Sequence, residues 1–519
     1  MIYHIGFYNL YLLFRMTHKI SMFEALQHVG ATSRYQYFLS LMNLILSIFS
    51  GFFCFQFQAL TIMQPLECLS DRCTALKKSN IANPSSLVCT LESDEWKFAS
   101  DGHINWLTDY GLYCDNLFLK SIGAALYFVG FMIGVTPLSS FSDKKGRRGA
   151  SLCLILSLVG CIIGTKLTTK LYQVFFVRFA FGFVHAGNSV VIFTLNSELT
   201  TPKFAAFNKI LSGAGFSFGS TVVAILAERA HIWQDMFAPL IWTSICFLVV
   251  FYLTITESPQ WLLARNKVPE AIESLNFIAS CNGRPPLPED TELRAVDNPD
   301  ASPNPVSMIL GNEILFGWIK RLSFCWFTVN ICYYALQFNA GSLGDDELTV
   351  MKYMGLLDIP LRFSILGVAN VWGRRAACQA YFSICTSSLL FCLVPWIYSL
   401  EIGTLTLKSI LVLVSHGTAA ALFSLMYSYT SEVLPTLARS TGVSMCSATG
   451  CFASLLSPFV ILLNQMSPSL IFIISAMCTL TSIHLVRRIP ETLNKHLPAN
   501  IEECETMYRN NDKLEKVEL

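Results

Sequence analysis

Asp358-Ile359-Pro360-Leu361-Arg362 places a carboxylate and a guanidinium inside an otherwise apolar run. Residues four apart share a face of a helix and can neutralise one another, although Pro360 between them loosens that helix. An ionisable side chain within a membrane-length apolar run is a functional expectation by default, because an unpaired charge there is expensive. His185 and His416 also lie in such runs. Imidazoles titrate near neutral pH in water, and the expectation for both is a buried neutral ring satisfied by nearby backbone. A second set of charges falls at the ends of apolar runs. Asp143 is expected to pair with Arg147 and Arg178, and such pairs can hold helix ends together in one state of a moving bundle and break in another. Gly146 in the same turn, with Glu198, Glu257, Glu432, Arg439 and Glu491, is expected to complete this gating cluster. Simple anchoring of basic residues at the membrane face accounts well for Arg148 and Arg375.

Other chemistries find no support. No nucleophile or acid–base constellation is grouped in a soluble segment, so an enzyme is not expected, and no catalytic residue is assigned. Cys68 and Cys73 lack the His or paired CxxC partners of a metal site, and no cofactor is expected. Gly213-Ala214-Gly215 with Gly219 looks like a phosphate loop, but no Lys-Ser/Thr follows it. Packing of helices through small residues is the better reading. The absence of a Walker motif argues against ATP-driven pumping.

The elements that position these residues follow from composition. Charged residues make up 14% of the 519, against about 25% in typical soluble proteins, and AVILMFWYC make up 53%. Mean hydropathy is +0.50. A net charge of +1 excludes a polybasic nucleic-acid binder. The chain reads as a polytopic, all-α membrane protein. Apolar runs of about 20 residues, the length needed to cross the hydrocarbon core, occur near Tyr37–Met63, Ser121–Phe141, Ala150–Gly164, Tyr172–Leu195, Ile210–Ala227 and Met236–Thr254. The second half supplies Leu322–Ala340, Leu348–Val371, Ala376–Tyr398, Ser409–Thr430, Gly442–Asn464 and Leu470–Val486. Twelve transmembrane helices are therefore expected.

Lys and Arg concentrate after even-numbered spans, as in Lys144-Lys145-Gly146-Arg147-Arg148 and Arg374-Arg375, which predicts that both termini are cytoplasmic. The expected organisation is a cytoplasmic N-terminus (1–36) and a six-helix bundle (37–255) holding an extracellular loop (64–120). A cytoplasmic linker (256–320), a second bundle (321–486) and a cytoplasmic tail (487–519) follow. The linker is rich in Pro and polar residues, with one or two short amphipathic helices expected around Pro269–Ala279. The N-terminal MIYHIGFYNLYLLF is too short to span and lacks signal-peptide features, so it reads as interfacial, or as upstream of a true start at Met16. Of 18 cysteines, Cys68, Cys73, Cys89 and Cys114 fall in the outer loop. An even number in an oxidising segment predicts two disulfides, with three connectivities open.

The two halves share punctuation. Asp143-Lys144-Lys145-Gly146-Arg147-Arg148 corresponds to Asn370-Val371-Trp372-Gly373-Arg374-Arg375, Glu198 to Glu432, and Glu257 in TESPQWLL to Glu491 in IPETL. Matching signatures at matching places indicate a duplicated six-helix unit. SDKKGRR resembles the signature loop of the major facilitator superfamily, and RFAFGF its fourth-helix motif. More closely, the chain resembles the organic cation, organic anion and carnitine transporters of solute carrier family 22. The strings INWLTDYGLYCDNLFLKS, FVGFMIG, ESPQWLLARNK, YYALQFNAGSLG and TSEVLPTLARSTGVSMCSA carry that resemblance in order over most of the chain.

The resemblance implies the major facilitator fold and transport of a small organic ion by alternating access, secondary-active or facilitative, at the plasma membrane. Membrane lipids and a counter-ion or exchange substrate are the other implied partners. It places Tyr333 and Tyr334 in the cavity wall, where rings stack on aromatic or cationic substrates. It makes Asp358 and Arg362 substrate-binding, and a basic residue at the Arg362 position is typical of anion carriers. Cys451 falls where cation carriers hold Asp and anion carriers Arg, so the eleventh span contributes no selectivity signal. Ala205 stands where the family has Arg after Glu198, and the outer loop has no glycosylation acceptor. An organic anion is the favoured substrate. An organic cation, a carnitine-like zwitterion, or a non-transporting receptor derived from a carrier are the alternatives.

Overall fold

Apolar chain in a hydrocarbon solvent must satisfy its backbone internally, which forces the apolar runs into helices. The computed structural model describes residues 19–506 apart from 79–83, 93, 99–103, 289–291, 294–304, 344, 395–399, 403–404, 436–437, 461, 464–466, 468, 496–497, 499–501 and 505. Its long helices are α1 (Arg34–Ala59), α2 (Leu117–Lys145), α3 (Arg147–Lys166), α4 (Leu171–Glu198), α5 (Pro202–Arg229), α6 (Phe237–Thr254), α7 (Glu313–Phe338), α8 (Glu347–Trp372), α9 (Arg374–Phe391), α10 (Leu407–Val433), α11 (Arg439–Val460) and α12 (Leu470–Arg487). Among the described residues, 10 helices are long and apolar enough to cross a membrane. The other two long ones are α7 and α9. Lys320 and Arg321 lie in α7, and α9 opens on Arg374-Arg375 and is rich in Ser, Thr and Cys. Both nonetheless pack inside the bundle, burying Trp318, Leu322 and Trp326 of α7 and Phe382 and Cys385 of α9.

Helix ends differ from the sequence expectation by a few residues for local reasons. The first run continues to Met63, but α1 stops at Ala59, where the Thr61 hydroxyl donates back to the Phe57 carbonyl at 2.7 Å and Pro65 lies just beyond. Pro137 and Pro360 sit inside α2 and α8 without ending either helix.

Packing repeats between the halves. In the first, α1 packs on α5, α2 on α4, and α3 on both α4 and α6. In the second, α7 packs on α11, α8 on α10, and α9 on both α10 and α12. The halves meet through α2 against α11 and α5 against α8, two contacts that the repeat relation exchanges. Small residues permit the close crossings, as expected for helices in lipid. A Cβ at Gly219 would strike the Ile48 carbonyl of α1, and one at Gly355 the Ser217 carbonyl of α5. Gly213 is different: it faces Arg362 rather than a neighbouring backbone.

The first long loop is folded. Strand Leu66–Cys68 pairs antiparallel with Trp96–Phe98, and the disulfides are Cys68–Cys73 and Cys89–Cys114, one of the three open connectivities. Between α6 and α7 lie short helices Pro259–Ala264, Val268–Asn282 and Pro305–Gly311, and the second packs on helix Met22–Val29. Strand Lys19–Ile20 pairs in parallel with Glu292–Leu293. The N-terminal apolar stretch with Met16, and residues 507–519, lie outside the described residues.

Candidate functional site

The central polar cluster lies where the halves meet. Asp358 and Arg362 of α8 share a face, but their side chains do not pair directly. Asp358 Oδ2 accepts from Ser217 Oγ of α5 at 2.7 Å and from the Tyr333 hydroxyl of α7 at 3.2 Å. Its Oδ1 faces His416 Nδ1 of α10 at 3.0 Å. Arg362 donates through Nε to the same Ser217 hydroxyl at 3.3 Å and through one terminal nitrogen to Ser424 of α10 at 3.1 Å. The neutralisation expected from the i, i+4 spacing is therefore replaced by a serine bridge from the other half. Asp358 is fully buried and Arg362 is 3% exposed.

His416 stacks on Tyr333 with ring centroids 4.3 Å apart. The expected backbone partner is corrected to a carboxylate. His185 likewise meets a side chain, the Tyr127 hydroxyl at 2.6 Å, and stacks on Phe216. Tyr333 and Tyr334 pack edge to face, and Tyr334 continues into Phe128 and Phe55. Both tyrosines are thus in the bundle interior. Cys451 of α11 is half-buried. Ser217 and Ser424 complete the cluster without having been singled out from sequence, and nothing in the sequence joins His416 to Asp358. Serines in apolar helices are common, and partners 58 and 141 residues from Asp358 carry no local signal.

At the basic end, Arg147 joins Asp143 at 2.7 Å and Glu198 at 3.1 Å. Glu257 accepts from the backbone N–H of Arg147 at 2.8 Å and of Arg148 at 3.2 Å, closing the start of α3. Gly146 has φ +93°, and a Cβ there would collide with the Glu257 carboxylate. The second half repeats this with Arg374, a residue the sequence reading left out of the cluster. Arg374 pairs with Glu432 at 3.0 Å and donates to Asn370 Oδ1 at 3.3 Å. Glu491 caps Arg374 and Arg375 at 2.8 and 3.0 Å, beside Gly373 at φ +91°. Glu432 takes this ion pair from Arg374, whereas Arg439 opens α11. Each of these ion pairs ties helices within one half.

Arg178 does not join that cluster, and its expected pairing with Asp143 is corrected. It lies 20 residues before Glu198, about 30 Å along α4 at 1.5 Å per residue. There it donates to the carbonyls of Gly123, Phe53 and Cys54 and lies 4.9 Å from the Tyr127 ring. Its charge is satisfied by carbonyl dipoles of α1 and α2.

At the disulfide end the two halves are latched. Gln58 of α1 donates to the Gln337 carbonyl of α7 at 2.6 Å and to Glu347 of α8 at 3.2 Å. Gln337 donates to Ser220 of α5 at 3.2 Å, and Ser121 of α2 to the Pro458 carbonyl of α11, also at 3.2 Å.

Residues 115–458, well over half of the chain, match the family described as Major Facilitator Superfamily. The chain belongs to that superfamily. As a superfamily member it is a multi-pass membrane transporter and not an enzyme. It is 27% identical over 434 residues to organic cation/carnitine transporter 4 of Arabidopsis thaliana, covering 79% of each chain. It is 26% identical over 426 residues to organic anion transporter 3 of Oryctolagus cuniculus, covering 79% of this chain and 76% of the relative. In fold it resembles the inward-open xylose transporter XylE from E. coli, with a TM-score of 0.60 at 14% identity over 90% of this chain and 99% of that one. The human organic anion transporter MFSD10 gives a TM-score of 0.53 at 14% identity, covering 87% and 99%. The major facilitator fold accounts for the duplicated helix packing described above.

Proposed function

We propose that this chain carries small organic anions across the plasma membrane by alternating access, with Arg362 binding the negative group. Both termini and the linker face the cytoplasm in this reading, and the disulfide loop faces outside. The observation that carries it is the setting of Arg362. The guanidinium is buried between the halves, on α8 against α5 and α10, and is held by two hydroxyls rather than a carboxylate. A buried cation in that state gains most from an incoming anion, which can accept two hydrogen bonds from the planar fork. Tyr333 and Tyr334 supply faces for an apolar or aromatic body. Sequence similarity to organic anion carriers supports the same side. Asp358, bonded by the Tyr333 hydroxyl, favours a cation or zwitterion as the second reading, and the plant relative named for cations and carnitine agrees with it.

Uptake of labelled organic anions and cations by vesicles containing wild type, Arg362→Ala or Arg362→Lys, corrected for protein amount, tests the proposal. Loss of a charge-assisted contact is worth about 1.5–3 kcal/mol, so anion affinity should fall roughly ten- to a hundredfold in the alanine variant. Lysine should restore part of it, keeping charge but losing the fork. Equal anion affinity in wild type and Arg362→Ala overturns the proposal. Uptake of cations alone selects the second reading, and uptake of neither selects a receptor derived from a carrier.

A further inference from the structure

We infer that transport is coupled to a proton held by the Asp358–His416 pair, so that an anion and a proton cross together. The inference rests on the anion reading above and adds the coupling ion. Both side chains of the pair are 1% exposed, with the carboxylate and the imidazole nitrogen 3.0 Å apart. The pair bridges α8 and α10, and Ser217 of α5 joins it to the opposite half. Asp358 is therefore not the counter-charge of Arg362 alone. It is shared between a fixed cation, reached through Ser217, and a ring that is cationic only when protonated.

The charge count gives this arrangement a function. With His416 neutral, Arg362 and Asp358 sum to zero, and an incoming anion would leave a net negative charge in a dry centre. With His416 protonated the three groups sum to +1, and a monoanion on Arg362 returns the site to neutrality. Net charge in a low-dielectric interior is the costly quantity, so the empty neutral site and the doubly loaded site are the two states fit to cross. Proton or anion alone leaves a charge behind. His416 Nε2 has no hydrogen-bond partner among the described residues, which leaves one ring nitrogen able to take up the proton.

His185, an imidazole of the first half, meets the Tyr127 hydroxyl rather than a carboxylate. From α7 the His416 ring meets Tyr333 and from α8 Asp358, while Arg362 lies 5.9 Å from the centroid of that same Tyr333 ring. From α9 comes Cys385, whose thiol donates to the adjacent Ser415 carbonyl at 3.6 Å. Lys209 of α5 lies over the Tyr427 ring, 11 residues along α10 and so about 16 Å away.

The test uses the full chain in proteoliposomes and labelled p-toluenesulfonate, an anion that stays ionised at every pH used. With equal pH on both sides, the protein should exchange internal for external sulfonate. With the lumen alkaline, wild type should accumulate the label several-fold above equilibrium, and a pH dye inside should report acidification with uptake. His416→Gln should reduce accumulation to equilibrium and flatten the pH profile. Exchange in wild type with no effect of the gradient and no lumenal acidification overturns the coupling while leaving anion transport standing. Absence of sulfonate exchange under any gradient overturns the anion reading and the coupling together. The dye measurement on wild type decides the matter even if His416→Gln does not fold, and a His416→Gln protein with the wild-type pH profile refutes the assignment to this pair.

Discussion

Gly213 decides whether Arg362 can lie where it does. A Cβ built on it comes within 2.8 Å of a guanidinium nitrogen, so any side chain there must push Arg362 away from Ser217 and Ser424. Gly213→Val is expected to lower anion affinity about tenfold, the equivalent of losing roughly 1.4 kcal/mol of a charge-assisted contact, without reducing the amount of protein in the membrane. Equilibrium binding of a labelled anion to purified protein checks this, and unchanged affinity would mean that Arg362 is not positioned by α5. The charges themselves were legible in the sequence, because Asp358 and Arg362 interrupt an apolar run. Their partners were not. The i, i+4 rule speaks only of one helix, and here α5 and α10 offered better donors than the helix neighbour did. The same limit applies to Arg178, whose partners are backbone carbonyls of two other helices and leave no trace in residue types.

Among elements, the paired turns opening α3 and α9 show what duplication preserves. In both, a glycine with positive φ lets a distant glutamate reach two backbone N–H groups at a helix start, where negative charge is favoured. The sequence displayed this pattern through its repeated Gly-Arg-Arg and its glutamates. Arg374 carries no such signal of its own, because anchoring explains any basic residue at that face. The repeat also contains its own comparison: Asp143 in the first turn is Asn370 in the second, and both bond the arginine four residues later. Asp143 is 63% exposed, whereas Arg147 and Glu198 are 11% and 15% exposed. An exposed pair contributes about 0–1 kcal/mol, while breaking a shielded charge-assisted bond costs about 1.5–3 kcal/mol. Asp143→Asn is therefore expected to leave the melting temperature of detergent-purified protein nearly unchanged. Glu198→Gln should lower it clearly and slow maximal uptake. Equal losses in the two variants would place the weight of the cluster on the exposed carboxylate and contradict this ordering.

For the whole molecule, the polar latch at the disulfide end is what holds the halves together on that side. Its core is amide on amide: Gln58 and Gln337 bond each other, and each reaches a further helix, through Glu347 and Ser220. None of this was readable from sequence, because a glutamine near the end of an apolar run looks like an ordinary interfacial residue. The alternating-access cycle proposed above requires this latch to open, so its strength would set how often it does. Gln58→Leu removes three hydrogen bonds at a net value of about 0.5–1.5 kcal/mol each, enough to raise the open population about tenfold or more. Cys54 lies one turn further into α1 and is 1% exposed, so it reports such an opening. Its modification by a membrane-impermeant thiol reagent, followed on its own peptide by mass spectrometry, should accelerate about tenfold in Gln58→Leu. The Lys352–Glu228 ion pair crosses the same seam, but its glutamate is 52% exposed, and Lys352→Gln should leave the labelling rate within about twofold of wild type, as expected for a solvated pair. If Lys352→Gln accelerated labelling and Gln58→Leu did not, the halves would be held at this end by surface charge rather than by the buried amides.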